Sequence, residues 1–488
     1  MAIVLRYVDT HGLVKEIFVG LVHVMETSSS SLKASIYAFF AKHKLSLMQL
    51  RGQGYDGASN MRGEFNGLKA KILEENNSAY YVHCFAHQLQ LVVVAVASNH
   101  LGVVNFFDKL STLMNVVLAS CKRTNILREK EKERVANDIR CGLLTTGSGL
   151  NQELSLTRPG DTRWNSHYRT LLRLEVLFPS VLSVLDYVKK EGTNGSTQNK
   201  AIGLKRYLNS FDCVFLLHLM SHILRITDVL SRALQRKDQD ILEAVSMVNS
   251  TKRKLQEYRL NGFERLLEKV SLFCVKHGIK LLKMDEICAN KRCQRDNITN
   301  QHYYEFESFN TILDLIIIEF GDRFSEASTK LLDNMAALNP CASFSNFDVS
   351  KLVKLSEMYP YDFDDNERKT LLHELELYHD NVQHDVRFVN LNSITALAML
   401  MVETRKHLSY PLVYRLLKLA LVLPVATATV ERCFSSMKLV TTDLRNRIGD
   451  MFFNSCLICS IEREALANVT NEQIIERFLN MGTRKGQL

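Results

Sequence analysis

Apolar and polar residues alternate from Ile3 to Val8, pause at Thr10-His11-Gly12, and alternate again from Val14 to Val24. A two-residue period on both sides of a short polar break predicts a β-hairpin at the start of the chain. Ser28–Ser31 then offers N-cap residue types ahead of Leu32, Ile36, Phe39 and Phe40, whose spacing predicts a helix over 31–44. The apolar segment from Leu45 to Gly54 reads as a strand running into the small-residue turn Tyr55-Asp56-Gly57-Ala58-Ser59-Asn60, which leaves Asp56 exposed at a strand end. Helical spacing over 62–75, a strand-like run Ala79–His83 and an apolar helix from Phe85 to about Ala97 complete a β-β-α-β-α-β-α order, an α/β pattern.

Beyond residue 100 the period becomes helical throughout. It runs through Val103–Ala119, Arg169–Lys190, Lys205–Ala233, Ile241–Tyr258 and Phe263–Lys276, with the Gly/Thr/Ser/Asn-rich stretches 141–162 and 191–203 and the polar, basic tract 286–302 read as connectors. Tyr304–Phe320, Phe324–Met335, Asp364–His379, Ser393–Lys406, Leu412–Leu421, Val425–Thr441 and Asp450–Ala467 continue the pattern, and Pro424 must interrupt it.

Composition narrows the classes. The chain has 488 residues, 46% of them hydrophobic and 23% charged, with 6 prolines and 21 glycines, a balance that excludes general disorder and suits two or three domains. The net charge of +8 permits a polyanionic partner without demanding one. Eleven singly placed cysteines fit reduced thiols rather than a disulfide framework. The N-terminus lacks the order of a signal peptide, and the runs Leu91–Ala97 and Leu419–Val430 are too short to span a bilayer, so a soluble intracellular protein with no membrane partner is expected.

Four local motifs carry candidate chemistry: Tyr55-Asp56-Gly57-Ala58-Ser59-Asn60-Met61, Cys84-Phe85-Ala86-His87, Thr162-Arg163-Trp164-Asn165-Ser166, and the block from Leu423 to Ile448 that contains Glu431. In order and spacing they resemble hAT-superfamily transposases, in particular the plant and animal proteins that carry a TTF-type or MYM-type zinc finger ahead of the same core. The likeness covers nearly the whole chain. It implies an α/β plus α fold: a ribonuclease-H-like core lacking its first strand, interrupted by a large all-helical insertion and followed by a helical C-terminal dimerisation segment. The corresponding domains are 1–100, 101–375 and 376–475. It further implies an Asp-Asp-Glu triad that holds two divalent cations for DNA cutting. Asp56 matches the second Asp and Glu431 the Glu; nothing matches the first. An N-terminally truncated chain without the zinc-finger DNA reader is therefore expected, with vestigial catalytic and metal-binding positions Asp56 and Glu431. No cofactor is expected for the chain as it stands, and magnesium only for an active full-length form. Trp164 matches a residue that stacks on an extruded base, and Arg163 beside it can contact phosphate, so residual DNA binding is expected.

Each motif also has a plainer reading. An Asp before Gly at a strand end is ordinarily a turn former, and Glu431-Arg432 an exposed pair on a helix. Cys84 and His87 have metal-ligand spacing but no second pair nearby, which favours a structural motif; Cys274, His277, Cys288 and Cys293 are spaced too irregularly for zinc, and Cys456 and Cys459 lie in an apolar helical run. Trp164 fits either a core or a cleft. The apolar stretch 393–467 contains Leu412, Leu416, Phe434, Phe452, Leu457 and Ile461, which either pack on their own core or, as the resemblance implies, build a dimer interface. The expected function is that of a domesticated, catalytically inactive transposase-derived protein. It would act as a nuclear homodimer with DNA, and no small molecule, as a further partner. An active metal-dependent transposase or nuclease with its N-terminus restored, and a transcription repressor or chromatin adaptor, are the alternatives.

Overall fold

Strands β1 (Ala2–Val8) and β2 (Val14–Leu21) pair antiparallel, from Val8 opposite Val14 to Leu5 opposite Ile17, with an irregularity between Ile3 and Val4. Their turn is set by Asp9, whose Oδ1 accepts the N–H groups of His11 at 2.9 Å and Leu13 at 2.8 Å. Gly12 completes it at φ +78°, a conformation that strains any side chain, and a Cβ there would lie 2.7 Å from the Ala398 carbonyl oxygen. The computed structural model describes residues 1–142, 144–145, 154–160, 164–191, 195–288, 297–325, 330–441 and 447–481, with the backbone alone for Trp164 and Asn165.

Helix α1 (Ser29–Lys42) starts under Ser28, whose hydroxyl accepts Ser31 N–H at 3.3 Å. The strand expected over 45–54 is shorter than its pattern. Leu47–Gln49 forms a 3-10 turn capped by Ser46, and β3 is confined to Gly52–Tyr55. Helices α2 (Ser59–Arg62) and α3 (Leu68–Leu73) cross over to β4 (Tyr80–His83), which pairs parallel with β3, as a helical connection permits. The described strands make two separate pairs instead of one continuous sheet, and the protein is mostly helical.

The remaining elements are helices. They are α4 (Phe85–Asn99), α5 (Leu101–Leu118), α6 (Cys121–Arg140), α7 (Trp164–Glu191), α8 (Gly195–Leu208), α9 (Phe211–Leu234), α10 (Ile241–Asn261) and α11 (Phe263–His277). A π-helical segment, Tyr303–Asn310, runs into α12 (Thr311–Arg323). Then follow α13 (Lys330–Met335), α14 (Val349–Glu357), α15 (Asp365–Gln383), α16 (Ile394–Glu403), α17 (Pro411–Leu421), α18 (Ala428–Val440), α19 (Asp450–Ile461), α20 (Arg463–Ala467) and α21 (Asn471–Leu479). The stretch 191–203, expected as a connector, is helical from Gly195 onward, because Ala201 and Leu204 are buried and give α8 an apolar face.

The chain divides into two compact units. One comprises Met1–His87, Ala233–Val245 and Ala327–Leu488, the other Gln88–Arg232 and Ser246–Glu326. In the first, Phe18 of β2 is buried with Cys433 of α18 and Leu457 of α19, so two C-terminal helices cover one face of the hairpin. β2 N–H groups that no strand takes are taken by side chains: Phe18 N–H donates to Glu462 at 2.9 Å and Leu21 N–H to Asn454 at 2.8 Å. Such capping of a sheet edge removes both an unmet backbone donor and a template for aggregation. Helix α21 buries none of its residues.

In the second unit α9 is the central helix, with Val214, Leu217, Leu219, Met220 and Ile223 fully buried. Helices α5 and α9 are long and apolar enough to cross a membrane by length and composition, and most of α9 is packed inside the unit, the place of a buried core helix. Helix α6 joins α7 through Glu131, a buried carboxylate that accepts from Ser180 at 2.9 Å and is clasped by Arg134.

Candidate functional site

Because β3 and β4 run parallel and end together at Tyr55 and His83, the residues that follow, Asp56 and Cys84, leave the pair at the same end. Cys84 N–H donates back to the Tyr55 carbonyl at 2.9 Å. Its Sγ accepts the His87 N–H at 3.4 Å and both the N–H and the hydroxyl of Thr427 at 3.2 Å. The thiol thus caps the start of α4 and fastens it to the segment ahead of α18. Phe85 N–H donates to the Val425 carbonyl at 3.0 Å as a third link.

Pro424 lies against β3. A Cβ at Gly54 would stand 2.7 Å from its Cγ, and one at Gly52 would stand 3.0 Å from its Cδ, so the alternating glycines of this strand make room for the segment that leads into α18. That segment places Glu431 in the first turn of α18, near Cys84. Burial pushes the Cys84 thiol up; hydrogen bonds from Thr427 and His87 pull it back, and the Glu431 charge adds to the rise. Cys84 is therefore a protonated, structural thiol at neutral pH.

Asp56 is exposed, and its Oδ1 accepts the Ala58 N–H at 3.3 Å in the manner of a turn former. The Tyr81 hydroxyl donates to its carbonyl at 3.3 Å. Next to it, the His83 ring occupies the space that a Cβ on Gly57 would need, 3.0 Å away, and stacks obliquely on His87 with centroids 5.8 Å apart.

A third carboxylate reaches the first turn of α18 from the hairpin. Glu16 accepts from the Thr429 hydroxyl at 2.5 Å and from Arg6 at 2.8 Å, with the Glu16 and Arg6 side chains 9% and 7% exposed. Arg6 also donates to the carbonyls of Leu421 at 2.9 Å and Gln239 at 2.7 Å. Sequence reasoning missed this pair, since a strand Glu opposite a strand Arg carries no motif. Glu16 is thus committed to Arg6 and Thr429. Among the described residues no three His, Cys, Asp or Glu side chains are grouped to hold a metal ion, so the described residues do not fit the two-cation arrangement.

Of the other sequence-predicted positions, Arg163 lies outside the described residues, as does Cys293, and Trp164 is described only as the first residue of α7. The six residues expected at a dimer interface divide. Leu412, Leu416 and Leu457 are buried within their own unit, because the inner faces of α17 and α19 supply its core. Phe434 and Phe452 are 48% and 61% exposed, and Ile461 is half-buried against the Phe18 cluster. The C-terminal helices expose further apolar side chains: Leu439 on α18, Met451 on α19, and Ile474, Ile475, Phe478 and Leu479 on one face of α21. The exposed partners were not separable from the buried ones by spacing alone, since both kinds repeat with the helical period.

Two sequence families match this chain. Residues 1–67 match the one described as "ZMYM1/FAM200, RNase-like domain", and residues 374–460 the "hAT family C-terminal dimerisation region". Proteins described as "52 kDa repressor of the inhibitor of the protein kinase" from Mus musculus and Homo sapiens are each 21% identical, over 512 and 509 residues. The alignments cover 100% of this chain and 63% and 62% of those proteins, so the chain spans under two thirds of the length of these relatives.

Proposed function

We propose that this hAT-transposase-derived protein is a dimerising nuclear regulator that does not cut DNA, with its C-terminal helices α18 to α21 as the self-association surface. The observation that carries the reading is the apolar face left uncovered there. Phe434, Leu439, Met451, Phe452 and the Ile474/Phe478 face of α21 are exposed in a region that largely coincides with the matched dimerisation region and continues just beyond it. Large apolar side chains that a monomer leaves to water along several helices of such a region are ordinarily covered by a partner, and a second copy supplies a self-complementary cover under twofold symmetry.

The hairpin and the β3–β4 pair are read as strands of a ribonuclease-H-like core, which the match of residues 1–67 to an RNase-like domain supports. Asp56 and Glu431 are read as relics of its metal site. The engagement of Asp56 in its own turn, and of Glu16 with Arg6 and Thr429, supports the non-cutting reading. Residual DNA contact through Arg163 and Trp164 belongs to the same proposal. The repressor description of the relatives favours regulation as the role.

Sedimentation equilibrium of the chain tests the proposal. A dimer is expected, and Phe434→Asp with Phe452→Asp should weaken it by at least about 30-fold while the circular dichroism stays unchanged, the effect of removing aromatic anchors from an interface. A monomer at all concentrations, or a dimer indifferent to both changes, would sink the self-association reading. Magnesium-dependent nicking of duplex DNA that disappears in Asp56→Asn would replace the non-cutting reading with the nuclease.

A further inference from the structure

The second unit contains a cleft of about 1620 Å³ bordered by α7, α9 and α11, and its walls differ in chemistry. On α7, Leu172, Val176 and Pro179 fall on one helical face, and Leu172 and Val176 are 40% and 44% exposed. On α11, Arg265, Lys269 and Lys276 likewise share a face. On α9, His218, Ser221 and Arg225 line the cleft. Five cations therefore meet two carboxylates among the lining residues. Of the two, Asp138 is held by Arg134 at 2.6 Å, while Glu175 stands 3.6 Å from Lys269 and 3.7 Å from His218. Arg225, Arg265 and Lys276 make no ion pair among the described residues.

His218 is 1% exposed, and neither of its ring nitrogens is hydrogen-bonded; the buried Ser221 hydroxyl is also without a partner. Burial first, then the Lys269 charge, holds His218 down to about 4, so a neutral imidazole lines the cleft. Native proteins seldom leave such groups unmet, which marks the place as one that a polar ligand completes.

The volume exceeds the roughly 300–1,000 Å³ usual for small-molecule sites. The α7 wall runs from Tyr168 to Leu182, about 21 Å at the helical rise per residue, the length of a helix of roughly four turns. Leu172 and Val176, the most exposed apolar side chains of that wall, are aliphatic and suit the leucines of a helix. The geometry points to this cleft as the docking site for an amphipathic helix of an acidic partner protein. The apolar stripe of that helix would lie on Leu172, Val176 and Pro179 and its carboxylates toward Arg225, Arg265, Lys269 and Lys276. This is helix-in-groove recognition with charge complementarity, and it stands apart from self-association through α18 to α21.

Fluorescence anisotropy of the full chain tests it, with a labelled peptide of about 18 residues carrying leucines at i, i+3, i+4 and i+7 and glutamates elsewhere. Saturable binding is expected, weakened about tenfold or more in Arg265→Glu/Lys269→Glu and, separately, in Val176→Asp, whose position is exposed enough to tolerate the change. A lysine-for-glutamate peptide should not bind, and Phe434→Asp/Phe452→Asp should bind as the parent does. No binding of the glutamate peptide, or binding indifferent to both sets of variants, overturns the proposal. So does a single-stranded oligonucleotide that displaces the peptide and loses affinity with the charge reversals but not with Val176→Asp.

Discussion

At the scale of single residues, Asp240 shows how much a fold can hide from its sequence. It begins α10 with one carboxylate oxygen accepting the Glu243 N–H at 2.8 Å, the other unpartnered, and the side chain 1% exposed. Burial raises it to about 6, against the hydrogen bond from Glu243. The folded protein therefore holds the proton more tightly than the unfolded chain. The cost of the buried charge is absent below about pH 4, grows as pH rises to about 6, and is fully present above, at roughly 3 kcal/mol. Asp240→Asn keeps the capping oxygen and removes the charge. It should raise stability at pH 7.5 by an amount of that order and flatten the pH dependence between 4 and 6, measured by urea denaturation; unchanged stability at pH 7.5 would contradict the assignment. The Arg6–Glu16 pair was not legible beforehand, because its partners Gln239 and Thr429 are remote in the chain, and although the Asp240 cap is local, the burial that shifts it has no signature in the sequence. Asp56 was legible as an exposed residue on a strand-end turn, since the small residues after it fix that geometry locally.

At the scale of elements, periodicity served where one face is apolar and failed where it is not. The hairpin, α1, β4 and α4 all follow their patterns. Helix α6 was invisible, since Leu127 is its only buried apolar residue in a run of Arg, Glu and Lys, and α8 was hidden by its Gly, Ser, Thr and Asn composition. Two glycines make the contrast testable. Gly203, inside α8, has nothing within 4 Å of the place a Cβ would take, so Gly203→Ala should stabilise by about 0.5–1 kcal/mol through helix propensity. Gly54 of β3 faces the rigid Pro424 ring at 2.7 Å, so Gly54→Ala should destabilise by roughly 1–3 kcal/mol through overpacking. Thermal melts of the two variants should move in opposite directions; a shared direction would mean that β3 can yield to α18's leading segment.

At the scale of the whole molecule, the sequence showed a mixed start followed by long helical runs, which is the observed sequence of classes, while α6, α14 and α21 were absent from its order of elements. It did not show that Ala233–Val245, between two long helices, returns to pack with the first and last parts of the chain. Periodicity reports which face of a helix is apolar and says nothing of which unit meets it. The same limit hides how the matched C-terminal region divides between core and exposed face.

The hairpin that opens the chain has its β2 edge closed by Glu462 and Asn454, and its Arg6 held by the Leu421 carbonyl. Phe18 and Glu462 are 444 positions apart. At a translation rate of about 5–20 residues per second, the ribosome needs roughly 20–90 s after making the strands before it delivers the groups that cover them. During that interval a nascent chain shows an open strand edge and an unburied phenylalanine to the cell, so this protein's yield in vivo should depend on chaperones that shield residues 1–24 until Asn454 and Glu462 emerge.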